Sequence, residues 1–186
     1  MERGCSEREI TPGDTVVVLG TGGVSIFALQ FAKLLGARVI ITSSSDEKLE
    51  RAKQLGAAAV VNYKATPDWS KAVVELTGDV GADYVVDTVG ELREAIAAIR
   101  PGGTVAFVGL LIAMSAEVDL VSFMGKSARV EAIDVGSREM FEQMNRAIRF
   151  HEMRPVVDRT FAFSEAPDAL KHLKEARHFG KICLKV

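Results

Sequence analysis

Cysteine is scarce in this chain of 186 residues: only Cys5 and Cys183 carry a thiol, and they sit at opposite ends. Two such residues build neither a disulfide framework nor a Cys-x-x-Cys metal motif. The three histidines, His151, His172 and His178, lack zinc-ligand spacing and read as surface residues. Charge of one sign is also missing. There are 23 Lys+Arg against 25 Asp+Glu, a net charge of −2, and no basic run, so nothing marks a nucleic acid or anionic membrane partner. Apolar runs are strand-sized, far short of the ~20 residues of a spanning helix. The charged start MERGCSEREI is neither a signal peptide nor a membrane anchor. These absences predict a soluble protein of a reducing compartment, most simply the cytoplasm.

What is present is an ordinary globular composition, with 48% hydrophobic, 26% charged and 6% aromatic residues and no low-complexity or solenoid-type repeat. A chain of this length buries roughly 70% of its unfolded surface and forms one domain, or one plus an appendage. Strand-like runs alternate with helix-period segments. Residues 15–20 (TVVVLG) follow the turn signal Thr11-Pro12-Gly13-Asp14. Residues 23–35 read as a helix with Val24, Phe27, Ala28, Phe31 and Leu34 on one face, ended by Gly36. A second strand spans 38–42, and a second helix spans 46–55 and stops at Gly56, with Ser44 and Glu47 at capping-box spacing. Then come strand 58–62, helix 68–77, strand 83–88 and helix 91–100, which Pro101-Gly102-Gly103 terminates. Residues 104–109 and 129–134 read as further strands. Continuous Val/Ile runs indicate strands buried on both faces, as in parallel sheets. The expectation is an α/β, Rossmann-type doubly wound parallel sheet of six strands with right-handed crossovers. After about residue 150 the rhythm changes to a short strand-helix-strand appendage, with a strand at 161–163, a helix near 165–177 and a strand near 180–186.

The informative motif is Gly20-Thr21-Gly22-Gly23-Val24-Ser25, directly after the first strand and opening the first helix. Gly20 suits a tight turn, and Gly22 lets backbone approach a pyrophosphate whose charge rests on the helix N-terminus. Ser25 stands where the fingerprint prefers a glycine, and is small enough to fit. Strand before and helix after is the context that a dinucleotide site requires. Cofactor choice is written at the end of the second strand, where an acid would bind the ribose of NAD and repel a 2′-phosphate. Thr42-Ser43-Ser44-Ser45 stands there instead, with Lys48 a helical step further. Hydroxyls plus an ammonium suit a phosphate dianion, so NADP(H) is the expected cofactor, with NAD(H) as the alternative. The serines acting only as caps, with Lys48 merely solvated, is the competing reading.

Residues 13–186 resemble the cofactor-binding half of the medium-chain dehydrogenase/reductase superfamily, the zinc-type alcohol dehydrogenases and quinone reductases. The segments that carry the resemblance are PGDTVVVLGTGGVS, ARVIITSSSDEKLERAKQLGA, VVNYK, DYVVDTVG, RPGGTVAFVG, VGSREMFEQMNRAI and HFGKICLKV. The resemblance implies that Gly20, Thr21, Gly22, Gly23 and Val24 hold the pyrophosphate. It implies that Ser43, Ser44, Lys48 and Tyr63 surround the 2′-phosphate, and that Thr88, Val89, Val108 and Gly109 line the nicotinamide side. Lys181 matches a basic residue near the pyrophosphate. The activity implied is hydride transfer to or from a carbonyl, alcohol or quinone. The resemblance implies that catalytic residues and zinc ligands belong to an N-terminal catalytic domain, which is expected to be missing from this chain. No catalytic residue, metal ligand or zinc is therefore expected in this chain, and a small-molecule substrate only together with that domain.

On this resemblance residues 1–12 are a remnant of the interdomain connection, 13–150 the binding domain, and 151–186 a segment that would pack on the absent domain. The chain then resembles a fragment, an isolated domain or a truncated product. Phe161, Phe163, Leu170, Leu173 and Ile182 would be left needing a partner, and a homodimer is expected through the sheet edge at 129–134. The alternative is a non-catalytic NADPH-binding module or a fragment without activity of its own. A methyltransferase would want an acid where Ser43 stands.

Other chemistries fit less well. Gly125-Lys126-Ser127 echoes a phosphate-binding loop, but Leu120 fills its first glycine position. Phe27 likewise denies Gly23-Val24-Ser25 the form of a nucleophile elbow. Asp83 and Asp87 share a strand face and read as structural. Met140, Phe141, Met144 and Ile148 read as a helical core stripe.

Overall fold

The computed structural model describes residues 9–109, 111 and 115–186; Cys5 and most of the expected connecting remnant lie outside the described residues. Six parallel strands form the main sheet: β1 (Thr15–Leu19), β2 (Arg38–Ser43), β3 (Ala59–Asn62), β4 (Ala82–Asp87), β5 (Ile99–Phe107) and β6 (Arg129–Ala132). Their spatial order is β3-β2-β1-β4-β5-β6. The chain steps outward from β1 to β3, then returns to the other side of β1, so strand order reverses between β1 and β4. Crossovers run through α1 (Gly23–Leu34), α2 (Asp46–Gln54), α3 (Trp69–Leu76), α4 (Leu92–Ala98) and α5 (Leu120–Gly125). The remainder is α6 (Arg138–Phe150), β7 (Val157–Ala162), α7 (Ala166–Lys174) and β8 (Lys181–Lys185), with β7 and β8 paired parallel in a separate small sheet.

Period-two alternation in the strands divides the core between the two faces of the sheet. In β1, Val16 and Val18 join Ile26, Leu29, Ile41, Leu49 and Phe179 on one face. Val17 and Leu19 join Ile40, Trp69, Val73, Ile96 and Val105 on the other. Both faces are covered, as continuous Val/Ile runs require. Gly36 and Gly56, with φ of +79° and +105°, end α1 and α2 in the left-handed conformation.

Several expectations need correction. The buried face of α1 is Ser25, Ile26, Leu29 and Ala32, whereas Val24 is exposed and Phe27, Phe31 and Leu34 are half-buried. Helical spacing defines a stripe, but the sheet selects which of two apolar stripes it covers. Pro101-Gly102-Gly103 does not end a helix; α4 stops at Ala98 and β5 already runs through the three residues. Ala82 pairs with Ile99 and Tyr84 with Thr104, so the extra residues bulge outward, and Gly102 supplies a φ of +72°. The cap of α2 is Ser45, whose hydroxyl accepts from the Lys48 N–H at 3.4 Å, not Ser44 with Glu47. Met140 and Phe141 are exposed and Met144 and Ile148 half-buried, because no other described element covers that face of α6 as a core. In the appendage Phe161 is buried under the Arg159 guanidinium, 4.5 Å from the ring centre. Phe163, Leu170 and Leu173 remain exposed and Ile182 half-buried.

Lys126 donates to the carbonyls of Ile96, Ala97 and Ile99 at 3.1, 2.6 and 2.7 Å, closing the end of α4 rather than a phosphate loop. Asp83 accepts from Arg100 at 2.6 Å and from the Thr15 N–H at 2.8 Å, tying β4 to β5 and β1. Among the described residues no helix is long and apolar enough to cross a membrane.

Candidate functional site

The carboxyl ends of β1 and β4, where strand order reverses, are the place where open α/β sheets bind ligands. β1 stops at Leu19 and the chain turns at Gly20, whose φ of +78° favours glycine. The Leu19 carbonyl accepts two hydroxyls, Ser25 Oγ at 2.8 Å and Thr88 Oγ1 at 2.7 Å. One acceptor thus fastens the first turn of α1 and the loop after β4 to the end of β1. Ser25 is more than a small residue in a glycine position, because its hydroxyl is part of this clasp. Gly22 is the N-cap of α1 and supplies no side-chain cap, and the first turn contains no acid. The opening N–H groups of a helix have no partner within it, and here the helix end faces a pocket. A Cβ at Gly22 would point into open space, whereas one at Gly23 would collide with the Lys181 side chain.

The pocket has a volume of about 320 Å³ and runs from Thr88 and Val89 across Gly20–Ser25 to Ser43, Ser44, Lys48 and Tyr63. At that far end Ser43 is buried, and its Oγ accepts from the Ser45 N–H at 3.4 Å. The Asp46 carboxylate accepts from the Asn62 amide at 2.7 Å, toward the end of β3. Among the described residues no acid lines the pocket. The Lys48 ammonium donates to the Ala176 carbonyl at 2.5 Å. Burial, reinforced by Arg51 and opposed by Asp158 and Glu47, holds its pKa below the ordinary lysine value.

At the other end Asp87 Oδ1 accepts from the N–H groups of Val89 at 3.0 Å and Gly90 at 2.7 Å, shaping the loop after β4. The predicted residues Val108, Gly109 and Lys181 do not line the pocket. Val108 and Gly109 donate to the Asp87 carbonyl at 2.8 and 3.0 Å and so brace the loop from behind. Lys181 lies over Gly23.

Three lining residues escaped the sequence reading: Leu111, Ala176 and His178. His178 in particular is half-buried against the pocket, and His172 is half-buried with Nε2 3.1 Å from Asp158. The expectation of surface histidines fails for both. Their approach depends on the last helix folding back over α2, which no local pattern reveals.

The sequence profile of the zinc-binding dehydrogenases matches residues 23–149. This chain belongs to the zinc-binding dehydrogenase family. A zinc-type alcohol dehydrogenase-like protein of Schizosaccharomyces pombe is 41% identical over 98% of the chain and 55% of its own length. The crystal structure of an NAD-dependent alcohol dehydrogenase superposes with a TM-score of 0.87 at 36% identity, covering 95% of this chain and 52% of that one. A mycobacterial protein solved with NADPH gives a TM-score of 0.83 at 27% identity, covering 98% of this chain and 60% of that one. The chain spans about half the length of the curated relatives it matches. The family name implies zinc, but among the described residues no three His, Cys, Asp or Glu side chains converge on a possible metal position.

Proposed function

We propose that this chain is the nucleotide-binding half of a nicotinamide-dependent oxidoreductase acting on a carbonyl, alcohol or quinone, and that it takes NADP(H) in preference to NAD(H). The observation that carries the reading is the uncapped start of α1, open at Gly22 and facing a pocket set at the strand reversal. A dinucleotide fits these residues, because the open cradle at Gly22 leaves room for backbone to meet a pyrophosphate and the helix end favours its charge. When bound, the nicotinamide supplies or accepts the hydride.

The residues of this chain bind and orient. Gly20 gives the turn its left-handed backbone, and the hydroxyls of Ser25 and Thr88 hold it rigid. Thr88 and Val89 wall the end given to the nicotinamide, with Val108 and Gly109 bracing them. Ser43, Ser44, Lys48 and Tyr63 offer hydroxyls and one ammonium at the end given to the adenosine ribose, and the lack of an acid there spares a 2′-phosphate repulsion. Lys181 adds positive charge beside the pyrophosphate position. On this reading no side chain of this chain need be a general acid or base; that role would lie in a catalytic domain.

We also propose a homodimer formed along β6, the end strand of the sheet among the described residues, where Val130 and, just beyond the strand, Ile133 and Val135 are exposed. Such an edge invites strand addition. Calorimetric titration with NADPH and NADH tests the cofactor reading. NADPH should bind the more tightly, and Lys48→Ala should weaken NADPH by about tenfold or more, the value of a charge-assisted hydrogen bond. Equal loss on both dinucleotides would remove Lys48 from the selecting end.

A further inference from the structure

The far wall of the pocket comes from the other end of the chain. The turn between α7 and β8 lies against the start of α2, and the Lys48–Ala176 hydrogen bond joins residues 128 apart in sequence. Ala176 takes a φ of +52°, a left-handed conformation that a residue with a Cβ adopts reluctantly. Its carbonyl is the one that meets the Lys48 ammonium.

Two residues on, His178 lines the same pocket as Ser44 and Lys48 and lies close enough to Lys48 to feel its charge. Its Nδ1 is sealed from solvent and has no hydrogen-bond partner, which leaves Nε2 as the nitrogen able to reach a ligand. The charged groups around it are mostly positive. Lys48, His172 and Lys181 all oppose its protonation, and only Asp158 favours it. Both oxygens of Asp158 are already engaged, by Arg51 at 3.0 Å and His172 at 3.1 Å. Burial first, and then Lys48, hold the His178 pKa below its ordinary value, which favours the neutral imidazole, a ring with one N–H to give. An uncommitted donor among cations, in a pocket lined by no acid among the described residues, suits an anion of more than one charge.

We propose that His178 is a specificity-determining residue of this pocket, donating from Nε2, together with Ser44 and Lys48, to the 2′-phosphate of NADP(H). The inference rests on the dinucleotide reading above. It joins the last turn of the chain to the second strand in reading one phosphate, so that cofactor choice depends on both ends of the sequence.

The test is calorimetric titration of the full chain with NADPH, NADH and adenosine 2′,5′-bisphosphate, for the wild type, His178→Ala and His178→Gln. His178→Ala should weaken NADPH and the bisphosphate by about tenfold, the size of a lost hydrogen bond to a charged group, and NADH by less than about twofold. His178→Gln, which keeps an N–H near the Nε2 position, should recover most of the loss. Unchanged NADPH affinity in His178→Ala would overturn the proposal. Equal losses on NADPH and NADH would overturn it too, because His178 would then serve the pyrophosphate or only the wall. A wild-type chain that binds neither dinucleotide would overturn the dinucleotide reading itself and the inference with it.

Discussion

From β1 to β5 the chain buries most of what it makes apolar, and from α5 onward it largely does not. All five residues of β1 are buried, as are five of the six in β2. By contrast α5 and α6 contain no buried residue, and every residue of β6 is exposed. Both regions have well-formed elements with proper starts, for Ser137 caps α6 by accepting from the Met140 N–H at 3.2 Å much as Ser45 caps α2. The difference is coverage. Local sequence suffices to form a helix, but its apolar face is stabilised only where another element removes it from water. Besides the β5–β6 pairing and the Lys126 bonds to α4, the late region also meets the early one beside the candidate site. Gly180 donates to Thr21 at 3.0 Å, Lys48 to Ala176, and Arg51 to Asp158. Phe179 is buried beneath Arg51, whose guanidinium lies 4.3 Å from the ring centre. Part of the pocket's rim, Ala176 and His178, therefore comes from the late region, next to its buried residues Phe179 and Gly180.

The sharpest way to break this contrast is to cut equivalent side chains from both regions. Leu29 is fully buried on α1, and Leu29→Ala should cost about 2–5 kcal/mol in denaturant unfolding. A cost below about 1 kcal/mol would mean that the early core is far looser than its burial implies. Gly22→Val follows. Its Cβ meets nothing and its φ of −76° is ordinary, so thermal unfolding should stay close to wild type. NADPH affinity should fall about a hundredfold, roughly 2.7 kcal/mol, and retained affinity would contradict the pyrophosphate cradle.

Acid should loosen the late region. Burial pushes the Asp158 carboxyl up, but hydrogen bonds from His172, Arg51 and the Phe179 N–H outweigh it and hold the pKa below the ordinary aspartate value. A depressed folded-state pKa contributes stability that is present above the unfolded value, about 3.9, and is lost as pH falls through the folded one. Asp158→Asn should remove that acid dependence and cost about 1 kcal/mol at neutral pH, read by pH-dependent thermal unfolding. If acid loosened both forms alike, the Asp158 contacts would not be what ties the last helix to α2. The smallest effect is expected at Phe141, which is 58% exposed on α6. Phe141→Ala should change stability by less than about 0.5 kcal/mol, and a core-sized loss would show that something covers this face.

Much of this was legible because it is local. The glycines at 20 and 22, the hydroxyls at 43 and 44 and the ammonium at 48 sit at fixed offsets from strand ends, and parallel strands bring those ends to one edge. What could not be read involves choices between faces or ends. The α1 stripe of Val24, Phe27 and Phe31 satisfies helical spacing as well as Ile26, Leu29 and Ala32 do, and only the sheet decides between them. Pro101-Gly102-Gly103 has the composition of a helix stop, yet it is accommodated as a bulge because β4 holds β5 in register on either side. His178 carries no motif, and its place in the pocket follows from a hydrogen bond between Lys48 and the turn after α7.

By itself, the sequence determined the alternation of strands and helices, the parallel sheet, and the glycine turn opening a helix, since each follows from periodicity, turn chemistry and backbone sterics within about a dozen residues. Tertiary structure alone decided which faces are buried, that Ser25 and Thr88 share the Leu19 carbonyl, and that the last turn of the chain walls the site. Those contacts join residues far apart in sequence, and their geometry exists only once the sheet has brought them together.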